Sequence, residues 1–304
     1  MRTKHLFYFA AANPSISLGG FAGDSKKAIL DHVPETLKPA TILVRKGESF
    51  ESVKNKMRQF AYPLIAKPDI GEGGFKVKKI DNELDLKQYH QNNPMDYLIQ
   101  LYCDDAHELT ILTYKKGIDF IVSSIVERIP FKVIGDGQAT IKILITKSET
   151  GVYNKRRIEG LFGDRLATVP EKGELVNAGS IGNWDFGATY KERPELNTIA
   201  LKKTFDCMMK DIAIFNYARI DFKCKYYHDL EIGKIQILEI NGVKGEPVQI
   251  YDGKYNLWQA YCIIFENWNI IRLLSLLEIK KGFKCPSTIE GFKILFKHAL
   301  HKVK

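Results

Sequence analysis

The chain has 304 residues, 45% of them hydrophobic and 27% charged. That balance excludes a disordered chain, a collagen and a coiled coil, and the length suits roughly two domains with a large core and no need of disulfide or metal staples. Lys and Arg number 45 against 36 Asp and Glu, a net charge of +9 that favours anionic partners without choosing among nucleotides, nucleic acid and acidic membranes. Taken in chain order, Leu6 to Ala10 opens a strand or a helix, and a turn-rich piece runs from Asn13-Pro14 to Gly19-Gly20. Asp24 or Ser25 caps a short helix from Lys26 to His32, which Val33-Pro34 ends. Thr41 to Val44 is a strand, Ser49 to Phe60 a helix capped by Ser49, and Tyr62 to Pro68 a buried strand stopped by proline. Gly71, Gly73 and Gly74 then make a turn, and Phe75 to Ile80 is the return strand.

A helix over 83–91 follows, then strands Tyr97 to Leu101, Glu108 to Tyr114 and Asp119 to Arg128, the last pair joined at Lys116-Gly117. Ile134-Gly135-Asp136-Gly137 turns into a helix from Thr140 to Lys147. The glycine-rich stretch 148–193 reads as loop facing a substrate. Asn197 to Phe215 is a long amphipathic helix, and Tyr217 to Lys223 and Lys234 to Ile240 are strands joined by a polar loop. Residues 255–304 are helical, with Trp258 to Leu277 a core helix. Strands mixed with helices make the fold α+β or α/β. The five cysteines are odd in number and form no CxxC pair, which excludes a zinc knuckle and a thioredoxin motif and suits reduced thiols in the cytoplasm. The apolar piece Leu6 to Ala12 is too short for a signal sequence, and no apolar run is long enough to span a bilayer.

The chemistry concentrates in two strands. Side chains of a strand alternate between faces, so Arg219 and Asp221 share one face, with Ile220 and Phe222 behind them. Glu239 and Asn241 likewise share a face, with Leu238 and Ile240 opposite. If the strands pair, Asp221, Glu239 and Asn241 gather as oxygen donors suited to Mg²⁺ rather than zinc, and Arg219 is placed to grip phosphate oxygens. The bland reading of the four is a solvated hairpin face with cross-strand ion pairs. Lys67 ends an apolar strand just before the glycine turn, where backbone N–H groups and a cation suit phosphate. Residues 19–26 lack the Gly-Lys-Ser/Thr order of a P-loop, and His107-Glu108 lacks the second histidine of a zinc protease helix.

Together and in this order, Tyr62 to Pro68 with its glycine loop, Tyr97 to Tyr102, Glu108 to Ile111, Arg219 to Phe222 and Leu238 to Gly242 resemble the ATP-grasp superfamily, and within it the carboxylate–amine ligases. The resemblance covers about residues 20 to 252. It implies an α+β fold of two subdomains that grip ATP between two antiparallel sheets, with a C-terminal helical extension. The boundaries it implies are a shortened leading segment over 1–40, a small subdomain over 41–125, a metal and substrate subdomain over 126–254 and helices over 255–304. Lys67 and Lys26 would contact the nucleotide phosphates, and Gly71, Gly73 and Gly74 would close over them. Gln100 stands where a glutamate is more usual, Leu101 and Tyr102 would offer backbone groups to adenine, and Glu108 would hold the ribose. Asp221, Glu239 and Asn241 would hold two Mg²⁺ ions, with Mn²⁺ a substitute, and Arg219 would steady the transferring phosphoryl group. Gly245 would present its N–H to an oxyanion, while Lys244 and Glu246 would select charged substrate groups.

The implied reaction joins a small-molecule carboxylate to an amine through an acyl phosphate, releasing ADP and phosphate. A competing reading is a non-catalytic nucleotide-binding scaffold whose basic tail binds an anionic partner or a membrane surface. Nucleic acid is disfavoured, since no aromatic-rich basic platform accompanies the charge. A homodimer stays open. Two features depart from the ligases: only about 40 residues precede the ATP-binding part, and the loop Asn241 to Asp252 differs. Lys155-Arg156-Arg157 and Asn183 to Gly187 are further substrate-side candidates, and His298 and His301 read as helix surface.

Overall fold

Helix α1 (Lys26–Leu30) begins at Ser25, whose Oγ accepts the Ala28 N–H, so of the two candidate caps it is the serine that acts. Ile29 and Leu30 bury themselves against the larger sheet described below. The structure, a computed structural model, describes residues 5–148, 155–177 and 187–303.

Four short strands form the smaller sheet: β1 (Thr41–Val44), β2 (Leu64–Pro68), β3 (Lys78–Ile80) and β4 (Tyr97–Leu101), in the antiparallel order β1-β4-β2-β3. Helices α2 (Phe50–Lys56) and α3 (Glu83–Gln91) start at Ser49 and Asn82, which cap them through side-chain oxygens. Val53 and Leu86 from these helices bury against Val44, Leu64, Ile80 and Ile99, giving this unit its own core. The return strand is shorter than expected because residues 73–76 form turns, with Gly73, Gly74 and Lys76 at positive φ.

The larger sheet contains β5 (His107–Lys116), β6 (Asp119–Ile129), β9 (Thr189–Glu192), β10 (Tyr217–Cys224) and β11 (Gln236–Asn241), ordered β11-β10-β5-β6-β9 and antiparallel throughout. A separate pair, β7 (Lys132–Ile134) and β8 (Leu175–Asn177), packs with α4 (Ile141–Lys147) and α5 (Lys155–Phe162) around Val133, Ile145 and Ile158. The stretch 148–193 is therefore more than loop: its described part holds a helix and two strands. Behind the larger sheet, α6 (Ile199–Ile212) seals the core by setting Leu201, Phe205 and Met209 on Ile111, Ile220 and Phe222.

Leu6 to Ala10 is neither strand nor α-helix. Tyr8–Ala12 is a 3₁₀ helix with Ala10, Ala11 and Ala12 buried. Asn13 fastens this segment to the larger sheet, its Oδ1 accepting the N–H groups of Asn216 and Tyr217 and its Nδ2 donating to Tyr217 O. Two helices close the chain, α7 (Leu257–Lys280) and α8 (Thr288–Val303). The expectation of a core helix over Trp258 to Leu277 needs correction, since only Asn267, Ile271, Leu274 and Ser275 of α7 are buried. No helix among the described residues is long and apolar enough to cross a membrane.

Candidate active site

The two sheets face each other across a cavity of about 400 Å³. Strand β10 sends Ile220 and Phe222 into the core and turns Arg219, Asp221 and Lys223 to the cavity, as alternation requires. Register then places Asp221 opposite Glu239, and Arg219 opposite Asn241. One expectation fails in detail. Phe222 pairs with Ile237, so Leu238 is an extra residue on β11, and the core face of that strand is Ile237 and Ile240. Bulged out of the ladder, Leu238 leaves its carbonyl to accept a hydrogen bond from Lys67 Nζ at 3.0 Å.

Lys67 comes from β2 of the smaller sheet and also donates to Gln100 Oε1 on β4 at 2.9 Å. Gln100 in turn donates to Thr41 Oγ1 at 3.0 Å. Burial pushes the Lys67 ammonium down to about 8, more than Glu239 across the cleft can restore. Lys26, at the start of α1, donates to the carbonyl of Gly71 and lies 3.8 Å from Glu239. Burial works against a charged Glu239, but Lys26, Lys244, Lys67 and Arg219 outweigh it and hold the carboxyl at about 2.

Asp221 is the hub of the larger sheet. It accepts from Thr110 Oγ1 at 2.9 Å and pairs with Arg128 at 2.9 Å and Arg219 at 3.3 Å. Arg219 reaches onward to Glu246 at 3.2 Å, and Arg128 to Glu108 at 3.5 Å. Burial raises the pKa of Glu108, with Arg128 and Lys223 offsetting part of the effect. Lys244 grips both carboxylate oxygens of Asp24 at 3.0 Å. Its loop is held by a close crossing in which Val243 N donates to Gly19 O. A Cβ on Gly20 would stand 2.8 Å from Gly242 Cα, so both chains must be glycine there.

Lys26, Lys67, Gly71, Gly73, Gly74, Gln100, Leu101, Tyr102, Glu108, Arg219, Asp221, Glu239 and Asn241 all line this one cavity. Gly245 is absent from its lining. The Gly245 N–H is spent on Gly242 O at 2.8 Å, so it is not free for an oxyanion. A Cβ at that position would stand 2.7 Å from Arg219 Cβ, so the glycine makes room for the arginine. The Leu101 N–H is also engaged, by Ala40 O at 3.0 Å. Arg128 and Lys223 are cavity cations that sequence reasoning missed. Carrying the β10 alternation two residues past Asp221 finds Lys223, but Arg128 emerges only from the register that sets it opposite Glu108. Lys155 and Arg156 are exposed and outside the cavity. The side chains of Arg157 and His301, and residues 183–186, lie outside the described residues, while Gly187 packs under Ile158. His298 is not helix surface: its ring is 11% exposed and lies 3.7 Å from Glu72.

The donor set, Asp221, Glu239 and Asn241, is made of hard oxygens. Among the described residues no three His, Cys, Asp or Glu side chains are grouped to hold a metal. Two carboxylates and one amide facing the cleft are hard oxygen donors of the kind that could hold a divalent cation such as Mg²⁺.

No family model and no curated protein matches the chain. Solved structures do. D-alanine–D-alanine ligase from Bacillus anthracis has a TM-score of 0.51 at 16% identity, over 85% of this chain and 69% of that one. The VanG D-Ala:D-Ser ligase from Enterococcus faecalis scores 0.45 at 12% identity, over 82% and 59%. A bifunctional glutathione synthetase from Pasteurella multocida scores 0.41 at 14%, over 82% and 35%. Two antiparallel sheets closing on a cleft lined by Lys67, Asp221 and Glu239, with that first likeness, show that this chain has the ATP-grasp fold found in carboxylate–amine ligases.

Proposed function

We propose that the chain is an ATP-dependent carboxylate–amine ligase that works through an acyl phosphate. The observation that carries this reading is the convergence of Lys26, Lys67, Arg128, Arg219 and Lys223 with Asp221 and Glu239 beside a glycine loop in one cleft. A substrate carboxylate attacks the γ-phosphate of ATP, and ADP leaves. An amine then attacks the acyl carbonyl, and phosphate leaves. Both steps crowd negative charge, so fixed cations lower the barrier.

Lys26 and Lys67 face the phosphates under the 71–74 loop, which excludes water from the acyl phosphate. Gln100 holds Lys67 in place, Leu101 and Tyr102 flank adenine, and Glu108 receives the ribose hydroxyls. Arg219, paired with Asp221 and Glu246, would follow the phosphoryl group from donor to acceptor. Arg128 is a second arginine of the same kind. Asp221, Glu239 and Asn241 would hold Mg²⁺, which neutralises phosphate charge when bound. The divisions at 40/41 and 254/255 are proposed with this reading; the one at 125/126 falls inside β6, and the smaller sheet ends with β4 at Leu101.

Phosphate release from MgATP, measured across amino acids, dipeptides and polyamines, tests the proposal. Release that needs both a carboxylate and an amine, and that is lost in Asp221→Ala and Arg219→Ala, supports it. Absence of ATP binding by calorimetry overturns it.

A further inference from the structure

Helix α8 is apolar on two opposite faces. Its inner face, with Gly291, Ile294 and Leu295, packs on Phe7, Leu18 and Ala22. Its outer face carries Ile289, Phe292, Phe296 and Leu300, spaced i, i+3, i+7 and i+11 in a single stripe and 69%, 54%, 67% and 45% exposed. A helix docked by one side ordinarily turns polar residues outward. Lys293 and Lys297 flank the stripe instead, and residues 280–304 carry seven lysines against Glu290, which is +6 of the net +9.

The first half of α7 has the same character. Leu257, Trp258 and Phe265 are more than 70% exposed, and Tyr261 is half exposed. The two helices share a support in the N-terminal segment, where Phe7 meets Phe292 at 5.5 Å and Phe9 meets Trp268 at 6.1 Å.

We propose that the outer face of α8, together with the start of α7, docks this protein on an anionic lipid bilayer. The stripe enters the boundary between headgroups and acyl chains, and the flanking lysines meet the headgroups. Charge selects this occupant: a second copy would set the same lysines against each other. No described helix can cross the bilayer, so the contact is interfacial. The inner face of α8 links the docked surface to the cleft, because His298 lies by Glu72 of the glycine loop and Ile294 by Gly23. The glycine loop thus touches the inner face of the same helix whose outer face meets the bilayer.

The test is co-sedimentation of the full chain with phosphatidylcholine vesicles and with vesicles of equal parts phosphatidylcholine and phosphatidylglycerol. The anionic vesicles bind at least about tenfold more tightly. Ile289→Ser/Phe296→Ser and, separately, Lys293→Glu/Lys297→Glu each weaken that binding by about tenfold or more, with circular dichroism and sedimentation confirming a folded chain. Equal binding of wild type and the serine pair, or no binding to anionic vesicles, overturns the proposal. So does a wild-type dimer that the serine pair dissociates, which would assign the face to a second copy. None of these readouts uses ATP turnover, so the surface and the ligase reading stand or fall separately.

Discussion

The two sheets that close on the cleft solve the burial of charge in different ways. Strands β10, β5 and β6 of the larger sheet alternate cation and carboxylate, so that Arg219, Asp221, Arg128 and Glu108 neutralise one another across neighbouring strands. Strands β1 to β4 of the smaller sheet contain no acidic residue at all. Their one cavity cation, Lys67, leans on an amide of its own sheet and on a carbonyl and a carboxylate of the other. The network of β10, β5 and β6 is thus electrostatically complete alone, whereas the smaller sheet is complete only when the cleft is closed or a phosphate lies in it.

The largest effect that sharpens this contrast comes from Arg128→Met. It strips a partner from both Glu108 and Asp221, and breaking a buried pair from one side costs about 3 kcal/mol or more. Urea unfolding should show that loss, and ATP turnover should fall with it. Glu239→Gln comes next. The carboxyl is held at about 2 against 4.5 for an ordinary glutamate, so its stabilisation is present above pH 4.5 and is lost as the pH falls toward 2. With the side chain 28% exposed, screening leaves about 2 kcal/mol, and the gap between wild type and variant should close on acidification.

Lys67→Met should do the opposite at neutral pH. The ammonium titrates at about 8 when folded and at 10.5 when unfolded, so wild type carries a penalty below pH 8 that lifts as the pH rises to 10.5. The ligand-free variant should be more stable than wild type by about 1 to 2 kcal/mol at pH 7, after the lost hydrogen bonds are deducted. That advantage should vanish near pH 10.5 in thermal melts, while ATP affinity drops about tenfold. A variant less stable than wild type at pH 7 would break the comparison. The smallest effect belongs to Gln100→Glu, which gives the smaller sheet the carboxylate it lacks, 2.9 Å from Lys67. It should draw the lysine back toward 10.5 and weaken MgATP binding only a few-fold, read as a shift of the pH midpoint of binding.

Much of this was legible in the residue order. Alternation alone put Arg219 with Asp221 and Glu239 with Asn241, because those strands bury one face and expose the other to the cleft. The helix cap at Ser49 was legible, and that of α1 was narrowed to Asp24 or Ser25, because capping needs only local geometry. Arg128 was not, since its partners lie on other strands and depend on register. Gly245 misled because a glycine beside a site suggests a free N–H, whereas the fold uses its missing side chain. Helix α7 misled because an apolar helix suggests a core, and nothing in its periodicity says that half of it stays uncovered.

The extra residue on β11 carries a different kind of consequence. Without Leu238 the strand would still present Glu239 and Asn241 to one side and Ile237 and Ile240 to the other. What the insertion adds is a main-chain oxygen, and no substitution at 238 deletes a carbonyl. An alanine scan would therefore pass over this contact to Lys67 in silence, while a one-residue deletion would erase it. Its record in a lineage would be a gap rather than a substitution.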